Sequence, residues 1–158
     1  MKGFAKAILI SICVSTALLL LTNFVAFFPW YATLVVETFN LSQIAASDNY
    51  IKQHNYDQVL STLSNRPIYK KHKDRIQIIV LNEDGTSAVG FNDEESYYDM
   101  PEASKPYRQR GSTLSVEIRA VYPLEITLWG NHLERLVPVR FKMNTVGLKH
   151  YKDLEYYS

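Results

Sequence analysis

The pattern of hydrophobic and polar positions divides the chain into two unequal parts. Positions 7–28 are almost wholly apolar, and no charged residue falls between Lys6 and Glu37. A helix of about 22 residues rises about 33 Å, which is enough to cross the hydrocarbon core of a bilayer. Beyond this stretch, shorter runs with periods of 3.6 and then 2 alternate with turn signals. The pattern therefore predicts one membrane helix followed by a small folded domain.

The helical pattern does not stop at Pro29, where the apolar run ends. Apolar residues recur at helical spacing as far as about position 53, and a proline inside such a pattern usually kinks a helix without ending it. We predict an amphipathic extension over 29–54, whose apolar side is a candidate assembly face. That candidate face consists of Leu34, Phe39, Leu41, Ile44 and Ile51. A break at Pro29 followed by a separate surface helix is the alternative.

Positions 55–158 are predicted to form an extracytoplasmic α+β domain. Positions 55–64 have the spacing of a short amphipathic helix. Positions 76–80 and 86–91 flank an Asn-Glu-Asp-Gly turn signal and predict a hairpin. The strongest alternation runs over 114–128 and 137–143, with a bend or bulge expected at Pro123.

The segment 92–111 is polar, contains two prolines and lacks periodicity, so we predict a loop that is either an interaction surface or mobile. Alternating apolar and charged positions on the strands indicate an antiparallel sheet with one solvated face. The predicted fold class is α+β, in which a long N-terminal transmembrane helix extends into an amphipathic helix packed on a small antiparallel β-sheet.

The distribution of basic residues predicts the orientation of the chain. Lys2 and Lys6 precede the apolar run, and no Lys or Arg follows it until Lys52. Because basic residues favour the cytoplasmic side, we expect residues 1–6 in the cytoplasm and the domain outside the cell membrane. A cleaved signal peptide has the same charged start and apolar centre and is the alternative. The small residues that cleavage requires are poorly placed in this chain, which favours a retained anchor.

Composition and motifs argue against several functional classes. The 17 basic and 16 acidic residues nearly cancel, which is unlike a nucleic-acid binder. The single cysteine, Cys13, lies inside the apolar run, and the four histidines show no metal-ligand spacing. No catalytic, cofactor-binding or metal-ligating residue is nominated, and no small-molecule substrate is evident. A basic patch at positions 70–73 is either solvated or in contact with an acidic partner or anionic headgroups.

Taken together, the plan of the chain resembles the TadE-like pilin and pseudopilin family, and especially its relatives in Gram-positive bacteria and conjugative elements. The local matches are the helix extension at 37–51 and the C-terminal segment at 137–153. The resemblance implies a non-enzymatic, single-pass structural subunit of a pilus-like, secretion or conjugation assembly. Its partners would be the membrane and other envelope subunits, in a homo- or hetero-oligomer.

The N-terminus carries one further match and one departure from that family. Gly3 and Phe4 resemble the processing junction of pilin-type proteins, but Ile8 stands where the family carries a glutamate. The departure implies a minor or membrane-resident component of an assembly. The alternative function is a membrane-anchored extracytoplasmic binding or sensor domain.

Overall fold

The computed structural model describes residues 2–128 and 131–154, without the side chains of Lys2 and Leu128. Helix α1 spans Lys2–Asp48 and passes through Pro29 without a break. Near the proline, the Thr33 hydroxyl donates a hydrogen bond of 2.9 Å to the Pro29 carbonyl. The prediction of a helix that continues past Pro29 is confirmed, although α1 ends six residues before position 54.

Asn49 ends helix α1 because it adopts a left-handed backbone conformation, with φ of 58°. Its buried side-chain amide donates hydrogen bonds to the carbonyls of Arg108 and Lys149, at 2.9 and 2.6 Å. Gly147 packs directly against this amide, and a Cβ at that position would lie 2.6 Å from the Asn49 Cγ. Ile51 therefore falls in a short strand and not in the predicted helix extension.

The remaining elements follow the predicted order with some differences in length. They are β1 (Ile51–Lys52), α2 (Gln53–Asn65), α3 (Pro67–Lys70), β2 (Gln77–Asn82), β3 (Val89–Gly90), β4 (Thr113–Leu128) and β5 (Asn131–Val146). Arg66 has an extended backbone before Pro67, which separates α2 from α3. The α+β class is confirmed.

The main sheet has three antiparallel strands in the order β2-β4-β5. The predicted hairpin between β2 and positions 86–91 forms only in part, because β3 leaves β2 and pairs in parallel with β1 in a separate two-stranded sheet. Positions 86–88 do pair back on β2, through an antiparallel bridge from Leu81 to Ser87 and two backbone hydrogen bonds of 2.9 Å, from the Asn82 N–H to the Thr86 carbonyl and from the Ala88 N–H to the Val80 carbonyl. The turn thus forms as expected, but the chain then leaves β2 to reach the end of α1.

The β4–β5 pairing passes Pro123 without a change of register, so the predicted bulge is absent from the described strands. Tyr122, Pro123 and Leu124 pair with Val137, Leu136 and Arg135 in sequence. Strand β2 pairs with β4 only as far as Arg119. At the level of Pro123, the β2 side of β4 is therefore a free edge of the sheet. Proline has no backbone N–H, and at a free edge this costs no hydrogen bond to a neighbouring strand.

The core lies between the upper part of α1 and one face of the sheet. Alternate residues of β2 and β4 point inward, as their period of 2 predicts. The buried hydrophobic residues of α1, β2 and β4 are Trp30, Leu34, Leu41, Ala45, Ile78, Val80, Leu114, Val116, Ile118, Ala120 and Tyr122. Segment 92–111 folds back on this core through Tyr97 and Tyr107, which are buried, and forms two short 3-10 turns.

Candidate membrane and assembly surface

The lower part of α1, residues 3–22, carries a bare apolar surface. Its exposed large side chains are Phe4, Ile8, Leu9, Ile10, Ile12, Val14, Leu18, Leu20 and Leu21. None of its most apolar 18-residue window is buried among the described residues, and the helix is long enough to cross a membrane. A contiguous apolar surface of this size needs a covering of lipid or of other apolar helices. A signal sequence has the same length and composition, so this segment alone does not distinguish a retained anchor from a cleaved signal sequence. The contacts higher on the helix bear on that choice.

The two threonines of this part of α1 bond back to the helix backbone. The Thr16 hydroxyl donates to the Ile12 carbonyl at 2.9 Å, and the Thr22 hydroxyl donates to the Leu18 carbonyl at 3.0 Å. Such bonds to the preceding turn give these two hydroxyl donors a partner when the helix lies in hydrocarbon. Both threonines are therefore compatible with a membrane-spanning segment.

Hydrogen bonds between α1 and the domain, among the described residues, begin at Asn23, five residues inside the predicted membrane span. The Asn23 amide donates to the Leu19 carbonyl at 3.1 Å and to the Glu125 carbonyl at 2.9 Å. In return, the Tyr122 hydroxyl donates to the Asn23 carbonyl at 2.8 Å. Residues 3–22, which lie below these contacts, rise about 30 Å at about 1.5 Å per residue, a length comparable with a bilayer core when Lys6, near its start, extends its ammonium group to the headgroups.

The aromatic residues at the upper end of the predicted membrane span divide into two groups. Phe27 and Trp30 pack edge-to-face on Tyr122, with ring centroids 5.1 and 5.4 Å apart. Phe24 and Phe28 face outward and stay exposed. Only the second group is free to lie at a membrane interface, because the first belongs to the core.

The structure places most of the predicted assembly face inside the chain's own core. Leu34, Leu41 and Ile51 are fully buried, and Ile44 is half-buried against the same cluster. Phe39 is the one exposed member. The prediction that these residues form an assembly face is therefore corrected. Helical periodicity identifies an apolar side of the helix, but it does not show whether a partner or the chain's own sheet covers that side.

The opposite side of α1 presents a second apolar line that the sequence analysis missed. We call Val25, Phe28, Ala32, Val36 and Phe39 the outer stripe; all five are exposed. Their spacing of three or four residues places them on one helix face. The stripe continues the bare surface of residues 3–22 upward, along the side of the domain that the sheet leaves open. In the sequence, the outer stripe is visible as a second series of apolar residues at helical spacing, offset from the series that is buried.

The predicted processing junction lies in the first turn of α1. Gly3 has open space around its Cβ position, and Phe4 is strongly exposed. Ile8, at the position where the resembling family carries a glutamate, is also exposed on the bare surface. No described part of the domain covers these three residues.

The lower end of the sheet holds a cluster of charged side chains. Glu125 and Glu134 are directly opposite each other on β4 and β5, and the Lys71 ammonium donates a hydrogen bond of 2.7 Å to each. These bonds raise the pKa of Lys71 and, together with a bond from His72, lower the pKa of Glu134. Glu125, Glu134 and His132 are close enough to share a cation. Lys71 already supplies positive charge there and offsets the repulsion between the two carboxylates.

The domain also carries an open groove of about 520 Å³ at its upper end, beside Glu94 and Tyr98. The Lys149 ammonium lies against the Glu94 carboxylate, at 2.5 and 2.6 Å from its two oxygens. At the adjacent loop, buried Lys105 pairs with Asp153 at 2.7 Å. These charges are used within the chain and suggest structural roles.

Comparison with known proteins finds no family model, no curated protein and no solved structure that matches this chain. The function must therefore be argued from the chain's own surfaces. Of these surfaces, the bare part of α1 and the outer stripe differ most from the surface of an ordinary soluble domain, because they expose lines of apolar side chains.

Proposed function

We propose that this chain is a non-enzymatic, single-pass membrane subunit that serves a structural role in a pilus-like, secretion or conjugation assembly of the cell envelope. The observation that carries the proposal is the continuity of α1. One helix joins a bare apolar segment of membrane-spanning length to the buried centre of the domain. The charge asymmetry around the apolar run orients the N-terminus to the cytoplasm and the domain outward.

The contacts at Asn23 support a retained anchor over a cleaved signal sequence. Cleavage after Ala26 would remove Asn23 and with it the hydrogen bonds to Glu125 and from Tyr122. It would also make Phe27 and Trp30, which pack on Tyr122, the new end of the chain. A signal sequence is dispensable to the mature fold, whereas this segment contributes to it.

The outer stripe supports an assembly role over a purely tethering one. A simple anchor needs apolar residues only within the bilayer, whereas Val36 and Phe39 are exposed about 20 Å or more above Asn23 along the helix. Apolar side chains in a line at that height suit contact with the helix of a neighbouring subunit. The upper groove, which a binding or sensor domain would use, is open, and its Glu94 and Lys149 side chains are paired with each other.

The native Cys13 provides a direct test, since it is exposed midway along the bare segment. A benzophenone maleimide attached to Cys13 captures any neighbouring helix on irradiation of native membranes. In a Cys13→Ser background, Ile12→Cys and Val14→Cys sample the other helix faces in steps of about 100°. We expect one position to yield an adduct of fixed mass, either a dimer of this chain or one repeated heterologous product.

The outer stripe gives the matched comparison for this experiment. Phe39→Asp should reduce the adduct, whereas Ile68→Asp should not, although the two side chains are similarly exposed at 46% and 44%. Mass spectrometry of the N-terminus reports in the same sample whether the chain is cut after Gly3. An intact Met1, together with monomers and no adduct from any of the three cysteine positions, would overturn the assembly role.

A further inference from the structure

We propose that the lower end of the β4–β5 hairpin and the basic turn at positions 70–75 rest together on anionic headgroups of the outer leaflet. The proposal deepens the proposed function and depends on α1 being a membrane anchor. The domain would then have a fixed orientation against the bilayer, with a second contact beside the helix. The occupant of this surface is lipid, and the argument has three steps.

The first step is the direction of the hairpin along α1. Going down the helix, Ser42 contacts Met143 on β5, Tyr31 packs on Phe141, and Asn23 bonds to Glu125. The contacts thus move toward the N-terminus of α1 as the hairpin approaches its end. Three further residue pairs follow Glu125–Glu134, ending with Leu128–Asn131. At about 3.3 Å per residue, Leu133 lies about 3 Å and the last pair about 10 Å beyond the level of Asn23, where the bare part of α1 begins.

The second step is the apolar surface that this end of the hairpin exposes. Leu133 and Val137 are exposed on the face of β5 that pairs with the inward residues of β4, and Leu136 is exposed on the other face. Leu133, the lowest of the three, is the most exposed at 62%. The inward side chain opposite Leu133, Ile126, is only partly covered. The boundary between headgroups and acyl chains is the environment that suits apolar residues beside charged ones, as in interfacial segments of membrane proteins.

The third step is the charge brought to the same level. The Lys71 bonds to Glu125 and Glu134 hold the turn at positions 70–75 beside the lower hairpin. This turn exposes Lys70 and Lys73, while Arg135 is exposed on β5. Lys71 offsets one of the two carboxylate charges, and Arg75 pairs with Asp74 in the same turn. Lys70, Lys73 and Arg135 therefore outweigh the one remaining carboxylate and leave a basic rim beside Leu133. Basic residues next to a membrane segment favour anionic lipid.

The test uses the full chain reconstituted in vesicles, with a Cys13→Ser background and single labelled cysteines. An environment-sensitive fluorophore at Leu133→Cys reports the hairpin end. The same label at Leu148→Cys is the matched control, because Leu148 is equally exposed at 62% but lies near the top of α1, where its N–H bonds to the Ala46 carbonyl at 2.8 Å. Lipids with spin labels on the headgroup or in the acyl chain act as quenchers.

We expect headgroup-labelled lipid to quench most of the fluorescence at Leu133→Cys and to leave Leu148→Cys unchanged. The native chain, labelled at Cys13, should be quenched by the acyl-chain label. Quenching at Cys13 with equal signals at Leu133→Cys and Leu148→Cys would overturn the hairpin contact but leave the anchor intact. An unquenched Cys13 would overturn membrane anchoring and, with it, this proposal.

Lipid composition separates headgroup binding from a contact with another protein chain. In vesicles containing phosphatidylglycerol, Lys70→Gln with Lys73→Gln should weaken the quenching at Leu133→Cys several-fold. Lys152→Gln, an exposed control at the opposite end of the domain, should have no effect. Quenching that is the same with phosphatidylcholine alone would overturn the anionic preference. A signal at Leu133→Cys that appears only at high protein density would assign the patch to a neighbouring subunit and overturn the lipid contact.

Discussion

The lower and upper parts of α1 form one continuous helix, yet their surroundings are opposite. Below Asn23 almost every large side chain is exposed, whereas Leu34, Leu41 and Ala45 above it are fully covered by the chain's own sheet. Both parts have helical backbones, so the difference does not arise from local propensity. It arises from what each part meets in the assembled protein.

The two parts also differ in how their apolar residues are distributed around the helix. The lower part is apolar on all sides, which suits a uniform apolar environment such as lipid or a bundle of helices. The upper part alternates a buried side with polar positions and the narrower outer stripe. One helix thus combines a segment that needs an external covering with a segment that the domain covers itself. The predictions that follow test where this division lies and what it depends on.

The largest expected effect comes from removing the same side chain in the two parts. Leu34→Ala deletes a fully buried side chain and should lower the free energy of unfolding of the domain by about 2–5 kcal/mol. Leu18→Ala removes an exposed side chain of the lower part and should leave the stability of the domain unchanged. Urea unfolding in mild detergent, followed by near-ultraviolet circular dichroism, measures both variants. Equal losses would show that the lower part also packs on the domain.

The upper end of α1 gives the next effect, through Asn49. Asn49→Ala removes the bonds to the carbonyls of Arg108 and Lys149 and places a residue with a Cβ at positive φ. We expect a loss of about 2–3 kcal/mol in the same unfolding measurement. Asn49→Gly loses the same bonds without the backbone strain, so it should be less destabilising by about 1 kcal/mol. A glycine variant as unstable as the alanine variant would contradict the role of the left-handed conformation.

The sequence predicted the elements of this fold better than their contacts. The apolar run and the period-2 segments predicted α1, α2 and the long strands, because these patterns depend on local geometry. The pairing of β3 with β1 was missed because partner choice depends on tertiary packing. Pro123 was expected to disturb β4, but the short β2 leaves that edge free.

The candidate surface was only partly predictable, for a related reason. The pattern that nominated Leu34 and Leu41 correctly identified an apolar side of α1, and the structure covers that side with the chain's own sheet. Of the nominated residues, Phe39 alone belongs to the outer stripe, and its neighbour Val36 was not nominated. The charged cluster at Glu134 was also missed, because strand register is what brings Glu125 opposite it.

A smaller effect tests the boundary between the two parts of α1. Tyr122→Phe removes the hydroxyl that donates to the Asn23 carbonyl at 2.8 Å and should cost about 1 kcal/mol. Tyr56→Phe is the control, because its hydroxyl makes a long bond of 3.4 Å to the Ile78 carbonyl and should matter less. Urea unfolding in detergent compares them. If Tyr122→Phe has no effect, Asn23 does not mark a fixed boundary between the helix and the domain.

The smallest effect concerns the charged cluster beside that boundary, and it is best measured as a pKa. Hydrogen bonds from Lys71 and then His72 lower the pKa of Glu134 from its ordinary value of 4.5. The cluster's contribution to stability is therefore complete above pH 4.5 and is lost as the pH falls through the lowered value. Lys71→Gln should move the pKa of Glu134 back up, toward or above 4.5, because it removes the largest stabilising bond. Lys73→Gln is the control, because it removes an exposed neighbouring charge and should change the pKa of Glu134 little. NMR of the carboxyl carbons of the full chain in micelles measures the pKa in both variants. An unchanged pKa in Lys71→Gln would mean that Lys71 does not hold the basic turn against the hairpin, and the second membrane contact would lose the bond that positions it.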